Sequence, residues 1–173
     1  MEPVTVIGID PGSVRTGWGV IRAVSSGYEL VDCGLIKTTS SGNEDFSSRL
    51  AVIYHDLAEV LRRTRPLEAA IEQVFMAKNA QTAFKLGQAR GVAVAACAAN
   101  GIPVYDYEPK LVKKTLVGTG GAEKEQVAFM VRCRLGLRSA DWALDTSDAL
   151  GIALTHLSLR RFKQMASAAT ACK

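Results

Sequence analysis

The 173-residue chain predicts an α/β fold, a mixed five-stranded sheet flanked by helices. Two observations carry that reading. Three β-branched runs come first with only short breaks between them, which makes an antiparallel meander. Later apolar runs alternate with segments of helical period, which makes parallel crossovers. At 48% hydrophobic and 22% charged residues, the composition supports a buried core.

The first strand is Val4-Thr5-Val6-Ile7-Gly8-Ile9, closed by Asp10 before the breaker Pro11-Gly12-Ser13. Residues 18–24 and 28–37 follow as two strands joined by the turn Ser25-Ser26-Gly27. After a polar loop at 40–43, Phe46, Leu50, Ile53, Tyr54, Leu57, Val60 and Leu61 repeat with helical period and end before Pro66. Ala69-Ala70-Ile71 forms a short strand running into Glu72. A helix spans 80–99, with Asn100-Gly101 as its C-cap. Ala80, Phe84, Gly87, Gly91, Val94 and Ala98 form a stripe on it, small enough in most places for another backbone to approach. Residues 102–107 form the fifth strand. Helices follow at about 109–117, 123–135 and 145–164. The whole of 1–165 reads as one domain, and the Ala/Ser/Thr-rich 166–173 reads as a frayed tail.

Several classes are argued against. The longest apolar run, 92–99, is far short of the roughly 20 residues a bilayer requires. Met1-Glu2-Pro3 does not begin a basic-then-apolar leader. Cys33, Cys97, Cys133 and Cys172 are scattered, without zinc spacing or a disulfide framework, which fits a reducing, cytoplasmic setting. The net charge of +4 is modest, but its distribution is uneven. No acidic residue occurs in 73–105 or in 149–173, whereas 110–138 holds seven Lys or Arg against two Glu.

Four carboxylates stand out. Asp10 and Glu72 end the first and fourth strands, where ligands gather in open α/β sheets. Asp145 and Asp148, three apart at the start of the last helix, share a face. Carboxylates brought together repel one another unless some stay protonated or a cation neutralises them. Hard divalent ions fit such an oxygen-only set, and a pair of them supports phosphodiester hydrolysis. Singly, Asp10 before Pro-Gly reads as a turn residue, and Asp145 and Asp148 as charges favoured at a helix N-terminus. Glu72, inside an apolar strand, demands a partner or a task. Spacing alone leaves the structural and the metal-binding readings both open. Asp10-Pro11-Gly12 also echoes the phosphate loop of actin-like ATPases, a fold that needs a second lobe for which this chain has little room.

The segments 8–13 (Gly-Ile-Asp-Pro-Gly-Ser), 71–80 (Ile-Glu-Gln-Val-Phe-Met-Ala-Lys-Asn-Ala), 85–91 (Lys-Leu-Gly-Gln-Ala-Arg-Gly) and 147–156 (Ser-Asp-Ala-Leu-Gly-Ile-Ala-Leu-Thr-His) resemble the RuvC family of Holliday junction resolvases, over about 4–160. That resemblance implies a ribonuclease H-like fold and a homodimer that nicks two strands of a four-way DNA junction during recombination and repair. It implies Asp10, Glu72, Asp145 and Asp148 as catalytic ligands of two Mg²⁺ per subunit, with Mn²⁺ able to substitute. Some members carry His at the position of Asp145; residues 139–144 and Thr146 depart from the family pattern. Phe75 matches the aromatic that stacks at the junction centre, and Lys113 and Lys124 match basic residues important for DNA contact or catalysis. The 80–98 stripe matches the dimerising helix. A branch-migration helicase complex of the RuvA/RuvB type is the implied partner. Arg15, Lys78, Lys85 and Arg90 are further candidates for backbone contact, and His156 reads as structural. The alternatives are another ribonuclease H-like nuclease, acting on hybrids or single strands, and a non-catalytic junction binder.

Overall fold

The structure is a computed structural model describing residues 3–38, 45–73, 79–139 and 141–171, with side chains through Phe162. The chain runs β1 (Thr5–Asp10), β2 (Arg15–Val24), β3 (Gly27–Lys37), α1 (Phe46–Thr64), β4 (Glu68–Glu72), α2 (Ala80–Ala99), β5 (Val104–Tyr107), α3 (Pro109–Val117), α4 (Lys124–Arg134) and α5 (Leu144–Ala171). One five-stranded sheet has the order β3-β2-β1-β4-β5. β1, β2 and β3 pair antiparallel, whereas β4 lies parallel to β1 and β5 parallel to β4. This is the mixed sheet expected from the order of the elements.

Local signals set the helix ends. Asp45 caps α1 by accepting from the Ser48 N–H at 2.7 Å, and Asn79 caps α2 by accepting from the Thr82 N–H at 2.8 Å. Pro109 opens α3, and Gly118, at φ 93°, closes it in the left-handed conformation. β2 begins at Arg15, three residues before its apolar run, because Arg15, Thr16 and Gly17 pair with Lys37, Ile36 and Leu35 of β3. α5 continues past Met165 to Ala171.

Period-2 alternation divides the sheet's two faces. Ile7, Ile9, Ala69 and Ile71 bury against α1 and α2. Val6 and Ala70 point the other way, into a second core with α3, α4 and α5. Asp10 shares the parity of Val6 and Gly8, and Glu72 that of Ala70. Both carboxylates therefore belong to the α5 face. Ile9 pairs with Ile71, so the two strand ends lie side by side.

α5 approaches that face at backbone contact. A Cβ on Gly8 would stand 2.0 Å from the Ala149 carbonyl oxygen, and one on Gly17 would stand 2.1 Å from the Asp145 carbonyl oxygen. Glycine is the residue that leaves room for such contact. Further along α5, His156 is buried, with Nδ1 2.7 Å from the Tyr107 hydroxyl and Nε2 2.6 Å from Glu68. Arg160 meets the same carboxylate at 3.2 Å. The helix is thus tied to β4 and β5 as well as packed on β1 and β2. The structural role expected of His156 is the one observed.

Candidate functional site: a carboxylate cleft

Three segments distant in sequence supply the cleft. β1 ends in Asp10, β4 ends in Glu72, and the first two turns of α5 carry Asp145 and Asp148. Carboxylate oxygens of Asp10, Asp145 and Asp148 all lie within 4.8 Å of one another. Glu72 ends the neighbouring strand and lines the same cleft, close enough for its charge to raise the Asp10 carboxyl. The start of α5 is anchored by Thr146, which donates to the Gly34 carbonyl at 3.1 Å. Ser147 accepts from the Trp142 indole N–H at 2.7 Å.

The electrostatics follow from this crowding. Burial, then the charges of Glu72 and Asp148, push the Asp10 carboxyl up to about 8. Glu72 is also raised, chiefly by burial. Without a cation, the crowding favours Asp10 keeping its proton at neutral pH. An oxygen-only, acceptor-only set of this density fits hard divalent cations, which replace that proton as the neutralising charge. The donor set contains no His or Cys that would favour a softer metal.

Lysines line the other side. A cleft of about 300 Å³ has Asp10, Glu72, Asp148, Lys113 and Lys124 among its walls, with Val112, Val127 and Ile152 as apolar floor. Lys124 Nζ donates to Asp148 at 2.7 Å. That bond raises the Lys124 ammonium against the opposing effect of burial, and the charges of Asp148, Asp10 and Asp145 add to it. Lys124 opens α4 and Lys113 lies on α3, so both reach the cleft from the helices covering the α5 face.

The other candidates separate clearly. Phe75 and Lys78 lie outside the described residues. Arg15 is exposed at the start of β2, and Lys85 is exposed with its ammonium 5.8 Å from the Phe46 ring centroid. Arg90 turns inward to Glu72 and Asp106 rather than outward. On α2, Ala89, Ala93, Ala96 and Cys97 are the core side, while Phe84 is 68% exposed and Gly87 and Gly91 face open space. Most of the small-residue stripe is therefore surface, while Val94 is half-buried and packs against the core. Sequence reasoning missed the roles of Gly8, Gly17, Thr146 and Ser147; glycines at alternate positions inside two apolar strands were the available signal for the first two.

A mixed sheet in this order, with acidic residues brought together from its first strand, fourth strand and last helix, defines a ribonuclease H-like protein with a nuclease's cleft. The comparisons narrow the class. The family model for crossover junction endodeoxyribonuclease RuvC matches residues 6–156, and the chain belongs to that family. Proteins of that name from Nitratidesulfovibrio vulgaris and Oleidesulfovibrio alaskensis are 57% and 55% identical over 166 residues, covering 96% of this chain and 98% of each relative. The solved structure of Thermus thermophilus RuvC in complex with a Holliday junction substrate is 40% identical, with a TM-score of 0.84 over 92% of this chain and 96% of that one. No helix among the described residues is long and apolar enough to cross a membrane.

Proposed function

We infer that this chain is a structure-selective endonuclease resolving four-way DNA junctions by paired symmetric nicks in recombination and repair. The observation that carries the reading is the carboxylate cluster flanked by Lys113 and Lys124, inside the segment that matches the family. Asp10, Glu72, Asp145 and Asp148 are the catalytic residues in this proposal and hold two Mg²⁺ per subunit, with Mn²⁺ as a substitute. Held by these carboxylates, such ions would supply Lewis acidity to the phosphodiester hydrolysis. The four carboxylates hold those charges in register by coming from three rigid elements. Lys113 and Lys124 receive the phosphate backbone, and Phe75 stacks at the junction centre as the family resemblance implies. Apolar residues beneath the cleft limit water around the reacting phosphate.

A homodimer accounts for paired nicks, and the exposed stripe of α2 is the face we assign to it. Phe84→Asp is expected to weaken the dimer roughly 30-fold and to convert paired nicks into single, unpaired ones. Sedimentation and strand-resolved cleavage check it. A branch-migration complex of the RuvA/RuvB type is the proposed larger assembly.

The deciding experiment is cleavage of an end-labelled synthetic four-way junction in millimolar Mg²⁺, with EDTA and linear duplex as controls. Paired symmetric nicks confined to the junction support the reading; tight binding without cuts, in Mg²⁺ or Mn²⁺, overturns it in favour of a non-catalytic binder. In the same assay Lys124→Met is expected to weaken junction binding with little regard to sequence. It should also lower the slope of log affinity against log salt by about 1.

A further inference from the structure

Arg90 lies on α2, on the sheet face opposite the carboxylate cleft, yet it touches the strand that carries Glu72. Its Nε donates to the Glu72 carbonyl oxygen at 3.2 Å, and a terminal guanidinium nitrogen pairs with Asp106 of β5. Glu72 is the last residue of β4, and Asp106 stands opposite Ile71 in the ladder. Only one further backbone bond, from the Gln73 N–H to the Tyr107 carbonyl at 2.8 Å, follows there among the described residues. One guanidinium thus fastens the ends of two neighbouring strands to a helix. The planar fork of arginine delivers two donors in fixed relative geometry; lysine offers a single mobile charge. Asp106 is 44% exposed, so the ion pair by itself contributes little stability. Its geometric effect is larger, because a strand end freed from Arg90 can fray.

We propose that Arg90 is a positioning residue for the carboxylate cleft, clamping the ends of β4 and β5 to α2 so that Glu72 stands where it can share a cation with Asp10. The proposal rests on the nuclease reading above and deepens it. It replaces the phosphate-contact role that the basic character of Arg90 suggests. It also connects the exposed stripe of α2 to the cleft, since Gly87 and Gly91 flank Arg90 on the same helix.

The test compares Arg90→Gln, Arg90→Lys and Asp106→Asn with the unsubstituted chain. Four quantities are read: Mn²⁺ affinity by electron paramagnetic resonance without DNA, junction affinity and its salt slope in Ca²⁺, single-turnover cleavage against Mg²⁺ concentration, and Tm. Arg90→Gln is expected to weaken Mn²⁺ binding and slow cleavage by about 10–100-fold, the range found when a group orienting a metal ligand is lost. Raised Mg²⁺ should recover part of the rate, and the junction affinity and salt slope should stay near those of the unsubstituted chain. Arg90→Lys should recover only part of the loss, and Asp106→Asn should move the same quantities the same way. A salt slope lowered by about 1 with unchanged Mn²⁺ affinity would overturn the proposal in favour of a phosphate contact. A lowered Tm with unchanged metal dependence would overturn it in favour of a purely structural role. Should the unsubstituted chain bind Mn²⁺ but leave junctions uncut, the nuclease reading fails, and the Mn²⁺ affinities of the variants still decide the role of Arg90.

Discussion

Asp10→Asn is expected to cut no junctions and to unfold at a higher temperature than the unsubstituted protein when both are metal-free. The loss of cleavage follows from removing a charge from the centre of the cation site. A cation's stabilisation of a developing charge is several kcal/mol, so the rate should fall by about three orders of magnitude or more. The gain in stability follows from the same crowding. The folded protein holds the Asp10 carboxyl at about 8, against an ordinary value of 3.8. Between these values the folded chain binds a proton that the unfolded chain releases. Stability is therefore greatest at the acid end of this window and is lost as pH rises through about 8. Asn does not titrate, so its advantage is smallest near pH 4 and largest above pH 8. Each kcal/mol of that advantage corresponds to about 2–4 °C for a chain of this size. Mg²⁺ should close the gap by stabilising the unsubstituted protein, since it binds the folded state alone. Differential scanning fluorimetry across pH, with and without Mg²⁺, checks all three statements; a Tm difference independent of pH would contradict them.

Gly8→Ala should damage the protein as a whole. The added methyl group would overlap the Ala149 carbonyl oxygen at 2.0 Å and approach the Ala153 amide nitrogen at 2.8 Å. Both are helix backbone, which cannot rotate aside. α5 must lift from β1, losing packing around Leu150, Ala153 and Leu154. Overpacking of this kind costs about 1–3 kcal/mol when side chains can yield, and more here because they cannot. Lifting α5 also withdraws Asp145 and Asp148 from Asp10. Chemical denaturation should show a midpoint shift of at least that size, and any folded fraction should bind Mn²⁺ more weakly. A variant of unchanged stability and metal affinity would show that the helix can shift without consequence.

Much of this architecture was legible in the chain. Helices at about 80–99 and 109–117 were legible, the first with Asn100-Gly101 marking its end. The beginning of β2 was not, because Arg15 and Thr16 are strand only through their pairing with β3. Asp10 and Glu72 could be placed at strand ends, and Asp145 and Asp148 on one helix face, from local pattern. Their convergence required knowing that β4 lies beside β1 and how closely α5 descends on Gly8. Those facts belong to tertiary packing. Arg90 shows the same limit from the other side. Its charge suggested DNA, and its true direction depends on Asp106 pointing to the α2 face of β5.

The division of the carboxylates among β1, β4 and α5 has a consequence for synthesis. A chain still being translated, complete only through the fifth strand, possesses Asp10 and Glu72 but neither Asp145 nor Asp148. All four carboxylates are present only once α5 has been made and packed on the sheet. On the proposed nuclease reading, a partly made polypeptide would lack half of the carboxylates that cutting requires.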